Sequence, residues 1–224
     1  MSLDIPRIRL LCFDIDGTLR DTDDQWVSRL ATLSRRLGFL FPGRDPHLLA
    51  RRAVMAIENP GTYVLGLTDR LNIDHHIARL SDGFYRLGIG RNSGQFSLIA
   101  GIWETLERLR PHYPMAVVSA RGARSTLAFL DLSGLTPFFQ AIATGQTCRH
   151  TKPYPEPILW VAGRLGVPPS ACLMVGDTTV DILAGKAAGA QTIGVLCGFG
   201  EEDELLKAGA DSILPSTADL ISIL

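Results

Sequence analysis

The sequence has no strong excess of either charge: 22 Lys and Arg stand against 23 Asp and Glu, for a formal net charge of −1. A surface that holds a phosphate backbone through counterion release needs a basic excess. No Lys/Arg run here exceeds two residues, so nucleic acid is not an expected partner. Long apolar runs are also missing, and none approaches the roughly eighteen residues of a membrane span. Met1 to Arg9 lacks the apolar stretch of a secretory signal, which predicts a cytoplasmic protein with no membrane partner. The four cysteines, Cys12, Cys148, Cys172 and Cys197, contain no CxxC pair. Neither a zinc site nor a redox motif is therefore expected, and the thiols should be reduced.

What is present is apolar sequence in short pieces. Hydrophobic residues make up 46% of the 224 positions, enough for a sizeable core. Short apolar runs alternate with amphipathic ones and end in Gly, Asp, Ser or Thr, the pattern of an α/β fold with a mainly parallel sheet. Strands are expected at Ile8 to Phe13, Met115 to Ser119, Ala141 to Thr144, Cys172 to Gly176, Thr192 to Val195 and Ser212 to Leu214. Helical spacing links Ile102, Leu106 and Leu109 before Pro111, and Ile158, Leu159, Ala162 and Leu165 before Gly166. A short last helix is expected from Thr217 to Ile223. Between about Asp21 and Gln95 no convincing strand occurs. Helical candidates follow one another there, at Asp23 to Leu37, Pro46 to Ile57, Pro60 to Leu71 and Asp74 to Leu87. The expected organisation is thus a Rossmann-like core of residues 1–20 and 96–224, with an all-helical insert of residues 21–95 after the first strand.

In an open parallel sheet the site lies beyond the carboxyl ends of the strands. Four strand ends carry polar residues there: Asp14-Ile15-Asp16-Gly17-Thr18 after Phe13, Ser119 after Val118, Lys152-Pro153 after the third strand and its loop, and Gly176-Asp177-Thr178-Thr179-Val180-Asp181 after Val175. Each has a structural explanation of its own. Asp14 and Asp16 could form a turn, Ser119 could cap the following helix, Thr178 and Asp181 fit a capping box, and Lys152 could be a solvated lysine. All of these would have to coincide at one edge of the sheet.

These four motifs, in this order, resemble those of the haloacid dehalogenase superfamily, in its phosphoglycolate-phosphatase-like branch. The resemblance spans the whole chain. It implies that Asp14 attacks phosphorus, a role open to a carboxylate because it is ionised at neutral pH without a general base. It implies Mg2+ as cofactor, held by Asp14, Asp177 and the main-chain carbonyl of Asp16, with the Asp16 carboxyl free to act as acid and base. Ser119 would donate to a phosphate oxygen beside the amides of Ala120 and Arg121 at the N-terminus of the following helix, and Thr18 would add a further hydrogen bond. Lys152 would offset charge on both nucleophile and phosphoryl group. Asp181 would ligate the metal through water or orient Lys152, and the Arg121 side chain would either touch the substrate phosphate or be a surface charge.

An acid at position 16 favours ester hydrolysis or phosphosugar transfer over dehalogenation. Thr18 leans toward a phosphatase, where sugar mutases often carry valine. Ala120 replaces an asparagine common in phosphoglycolate phosphatases. Lys152 lies only 33 positions after Ser119, too few for the later kind of cap, so the helical insert corresponds to the cap of this branch. The expected activity is a Mg2+-dependent phosphatase for a small phosphorylated metabolite, phosphoglycolate-like or a sugar phosphate. A β-phosphoglucomutase-like enzyme is the alternative, and a non-catalytic member a more distant one.

Overall fold

The computed structural model describes residues 3–21 and 97–224, so the four helical candidates between Asp23 and Leu87 lie outside the described residues. The chain passes out of the described part at Asp21 and re-enters it at Ser97. These two points touch: Asp21 N donates to the Ser97 carbonyl at 2.9 Å, and Ile99 N donates to that of Leu19 at 3.0 Å.

The described strands are β1 (Leu10–Phe13), β2 (Met115–Val118), β3 (Ala141–Ala143), β4 (Cys172–Gly176), β5 (Gln191–Val195) and β6 (Ser212–Leu214). They form one parallel six-stranded sheet in the order β3-β2-β1-β4-β5-β6. The helices are α1 (Ile102–Leu109), α2 (Ala123–Leu132), α3 (Glu156–Leu165), α4 (Thr179–Ala188) and α5 (Glu202–Lys207). β1 sits at the centre, and the chain winds outward from it in both directions.

Because helices cover both faces, β1, β2 and β4 carry no polar side chain. Residues alternate between two cores. Leu11, Phe13, Val117, Leu173, Val175, Ile193 and Val195 meet Ile102, Leu106, Leu109 and Phe129 on one face. On the other face Leu10, Cys12, Ala116, Val118, Cys172 and Met174 meet Ile158, Val161, Ala162 and Ala184. The first core reaches every strand from β1 to β6, while the second spans β3 to β4 with a separate small cluster of Ile182, Leu205 and Ala210 beyond it. A one-residue slip would exchange the two faces, so this packing fixes strand register.

Among the described residues the expected elements are present; β2 and β3 end one residue earlier and β5 starts one residue earlier than expected, and three further differences have a physical cause. The first strand begins at Leu10 rather than Ile8, because a 3-10 turn at Ile5–Arg7, with Pro6 in it, precedes it. In α3 the buried face carries Ile158, Val161 and Ala162, whereas Leu159 is exposed. Leu159 lies about 100° around the helix from Ile158 and so leaves the stripe. The last helix is a 3-10 helix, Thr217–Ser222, capped by Ser216 and Asp219. All four cysteines are free, as expected, with Cys12 and Cys172 buried. No helix among the described residues is long and apolar enough to cross a membrane.

The outer strand β6 is held by a charged clamp. Asp211, just before it, accepts hydrogen bonds from Lys186 Nζ of α4 at 2.6 Å and from Thr192 N and Oγ1 of β5 at 2.9 and 3.1 Å. Burial alone would raise the Asp211 pKa, but these donors hold it below the usual carboxylate value. The Asp211→Ala variant should lose about 2 kcal/mol of stability, which is about 4–8 °C in Tm for a chain of this size. A carboxylate with a lowered folded pKa contributes fully above its unfolded value of about 4 and loses the contribution as pH falls through the folded value. Calorimetry at neutral and strongly acidic pH should therefore show the difference between wild type and variant disappear in acid.

Candidate active site

The β1–β4 pairing matches Phe13 with Val175, and Asp14 N donates to the Val175 carbonyl at 3.0 Å. The loops that follow both strands therefore start side by side, where the strand order reverses. From them Asp14, Asp177 and Asp181 each bring a carboxylate oxygen to within 4.8 Å of the other two, and all three residues are buried. Asp181 comes from the first turn of α4, where its Oδ2 accepts from Thr178 N at 3.1 Å and Thr178 Oγ1 at 2.7 Å. The same carboxylate reaches a second element. Lys152, on the loop between β3 and α3, places Nζ 2.5 Å from Asp181 Oδ1 and 2.7 Å from Asp14 Oδ1, with 3% of its surface exposed.

Three buried carboxylates face one ammonium, so the cluster is short of positive charge. Burial pushes the Asp14 pKa up to about 7; Lys152 opposes the rise, and Asp181 and Asp16 add to it. Burial likewise raises Asp177 well above the carboxylate range, with Asp181 and Asp14 contributing and the Phe199 amide and Lys152 opposing. For Lys152 burial disfavours the charge, but Asp14 and Asp181 outweigh it and keep the ammonium protonated above its ordinary pKa. An all-oxygen donor set with surplus negative charge fits a hard divalent cation. Asp181 suits it least, because Lys152 holds its Oδ1 at 2.5 Å and Thr178 N and Oγ1 hold its Oδ2, whereas Asp177 Oδ1 has only the 3.4 Å contact from Thr18 Oγ1.

Asp16 faces a different environment. Its Oδ1 accepts from Arg121 Nη1 at 2.7 Å and Arg20 Nη1 at 3.2 Å. Arg121, expected at the phosphate or in solvent, is thus paired with Asp16. Ser119 lies just past β2, its amide bonded to the Ala143 carbonyl at 2.9 Å. It does not cap a helix: α2 starts at Ala123, with Gly122 at the cap position. The amides of Ala120 and Arg121 accordingly lie in the loop before α2 rather than at a helix N-terminus, and the Arg121 amide donates to Ser119 Oγ at 3.3 Å. Thr18 Oγ1 donates to Asp177 Oδ1 at 3.4 Å.

Sequence reasoning missed one contributor, the loop after β5. Phe199 N donates to Asp177 Oδ2 at 2.7 Å, in a buried contact. A main-chain donor leaves no mark in residue type. The only signal was Gly198-Phe199-Gly200 following a strand at the same edge of the sheet.

Residues 11–195 match the family model for haloacid dehalogenase-like hydrolases. A pyrophosphatase, PpaX, of Bacillus pumilus is 29% identical over 221 residues, covering 96% of both chains. A phosphoglycolate phosphatase of Haemophilus influenzae is 30% identical over 235 residues, covering 97% of this chain and 99% of that one. Among solved structures, a putative β-phosphoglucomutase from Thermotoga maritima superposes with a TM-score of 0.65 at 23% identity, over 96% of this chain and 98% of that one, a likeness of fold alone. With the family model spanning both halves of the acidic site, this chain belongs to the haloacid dehalogenase-like hydrolases.

Proposed function

We propose that the protein is a Mg2+-dependent phosphatase that hydrolyses a small phosphorylated metabolite through an aspartyl-phosphate on Asp14. The observation that carries this reading is the buried contact of Lys152 with Asp14 and Asp181 beside Asp177. The curated relatives support the substrate class, being named for pyrophosphate and phosphoglycolate.

Asp14 attacks phosphorus with the oxygen that Lys152 does not hold, and the Lys152 ammonium offsets charge on the carboxylate and the incoming phosphoryl group. Asp181 acts as a positioning residue that fixes Lys152 and anchors the start of α4. Asp16 donates a proton to the leaving oxygen and then takes one from the water that cleaves the aspartyl-phosphate. Its ion pair with Arg121 holds the carboxylate at the rim. Ser119, with main-chain amides of its loop, binds a phosphoryl oxygen. Mg2+, held by Asp14, Asp177 and the Asp16 carbonyl, would supply positive charge against the phosphoryl oxygens. The touching ends at Asp21 and Ser97 support residues 21–95 as a unit inserted into the core.

Asp14→Asn should reduce phosphate release by at least about 10³-fold while the protein stays folded; release at the wild-type rate would remove Asp14 from its role. The substrate is sought by measuring inorganic phosphate from pyrophosphate, phosphoglycolate, glycerol phosphate, sugar phosphates and nucleotides, with and without Mg2+. The expected result is Mg2+-dependent release from at least one of them. Isomerisation of a sugar phosphate without release would instead identify a mutase.

The raised pKa values of Asp14 and Asp177 make a further prediction. Both must lose protons to hold a cation, and for Asp14 this occurs at about 7, so the Tm increase caused by Mg2+ should grow as pH rises from 5 through about 7; the raised Asp177 pKa acts in the same direction. Without metal, Asp177→Asn relieves repulsion between buried charges and should stabilise the protein by about 1 kcal/mol, about 2–4 °C, at neutral pH. The same variant should lose the Mg2+-induced shift.

A further inference from the structure

Asp177 is held by main chain from two loops that are far apart in sequence. A Cβ built on Gly17, whose φ is +75°, would lie 2.2 Å from Asp177 Oδ2 and 3.0 Å from Gly198 Cα. A Cβ on Gly198 would lie 2.1 Å from the same Oδ2 and 2.6 Å from the Gly17 carbonyl oxygen. One on Gly200 would lie 1.9 Å from the Asp177 carbonyl oxygen. The carboxylate therefore fits only because Gly17 and Gly198 lack side chains, and the Asp177 main-chain carbonyl only because Gly200 does. Between two of them, the Phe199 amide donates to Oδ2 at 2.7 Å. Cys197 Sγ, 3.4 Å from the Gly17 carbonyl, ties the same loop to the turn after β1.

From this we infer that the loop Gly198-Phe199-Gly200 is a positioning element for the divalent cation. The inference rests on the proposal that Asp177 is a ligand. The Phe199 amide engages one oxygen of Asp177, and the bare backbone at 198 lets the carboxylate stay among Asp14 and Asp181, while that at 200 leaves room for the Asp177 main-chain carbonyl. The loop needs no functional side chain. A methyl group at position 198 acts on the site by moving Asp177, since Oδ2 and the Gly17 carbonyl flank it on both sides.

The test measures binding of Mn2+ alone to the metal-free protein, by calorimetry or electron paramagnetic resonance. Gly198→Ala should weaken binding by about 10- to 100-fold, as loss of support behind a metal ligand does. Gly163→Ala is the control, because a Cβ there meets nothing within 4 Å; its affinity should match that of wild type. The stability cost of Gly198→Ala should also be smaller in an Asp177→Ala background, where the carboxylate no longer fills the space. If Gly198→Ala alone fails to fold, the double variant should recover folded protein. Wild-type affinity in folded Gly198→Ala, an equal cost in both backgrounds, or a double variant that is equally unfolded would overturn the inference. Absence of Mn2+ binding to wild type would overturn the metal reading itself, a distinct result.

Discussion

The site depends on one buried ammonium. Lys152 touches the carboxylates of Asp14 and Asp181, and each contact constrains a different element: Asp14 ends the central strand, and Asp181 starts α4. Removing one member of such a set leaves its partners charged and uncompensated out of water, a larger penalty than the net worth of the contacts. The lysine thus links the geometry of the sheet edge to its charge. It also leaves the balance incomplete, with three acids to one base, and the surplus is the physical reason the cluster suits a cation.

Topology concentrates these groups without help from local sequence. β1 lies between β2 and β4, so the residues that follow three separated strands share one edge. Aliphatic alternation sets the register, and register decides that Asp14 emerges beside the Gly176–Asp177 step. The Rossmann-like order therefore works as a positioning device. Apolar packing on both faces fixes where charged groups appear at the end, and the cost of burying those groups is carried by the two cores.

Much of this was legible in the sequence. Strand-end rules located Asp14, Ser119, Lys152, Asp177 and Asp181, because a strand that becomes polar after an apolar run marks its own carboxyl end. The capping pattern of Thr178 and Asp181 was readable as well, although it did not reveal that the other oxygen of Asp181 holds Lys152. Three features were not legible. Arg121 pairs with Asp16 across 105 positions, and side-chain length permits many other partners. The start of α2 falls later than expected, since nothing local separates a cap serine from a strand-end serine. The Phe199 amide belongs to the backbone and is invisible to any reading of residue types.

The central place of β1 has a consequence for synthesis. Asp14 and Asp16 follow a strand whose neighbour β4 begins only at Cys172. Thr18 and Asp177, which touch in the folded protein, are 159 positions apart. Such distant partners make folding wait for the chain rather than for local helices. A growing polypeptide therefore keeps these acids hydrated until β4 has been made. They lose water only when the lysine and the later strands that accommodate their charge have been made, so the order of manufacture spares the nascent chain a buried, unbalanced cluster.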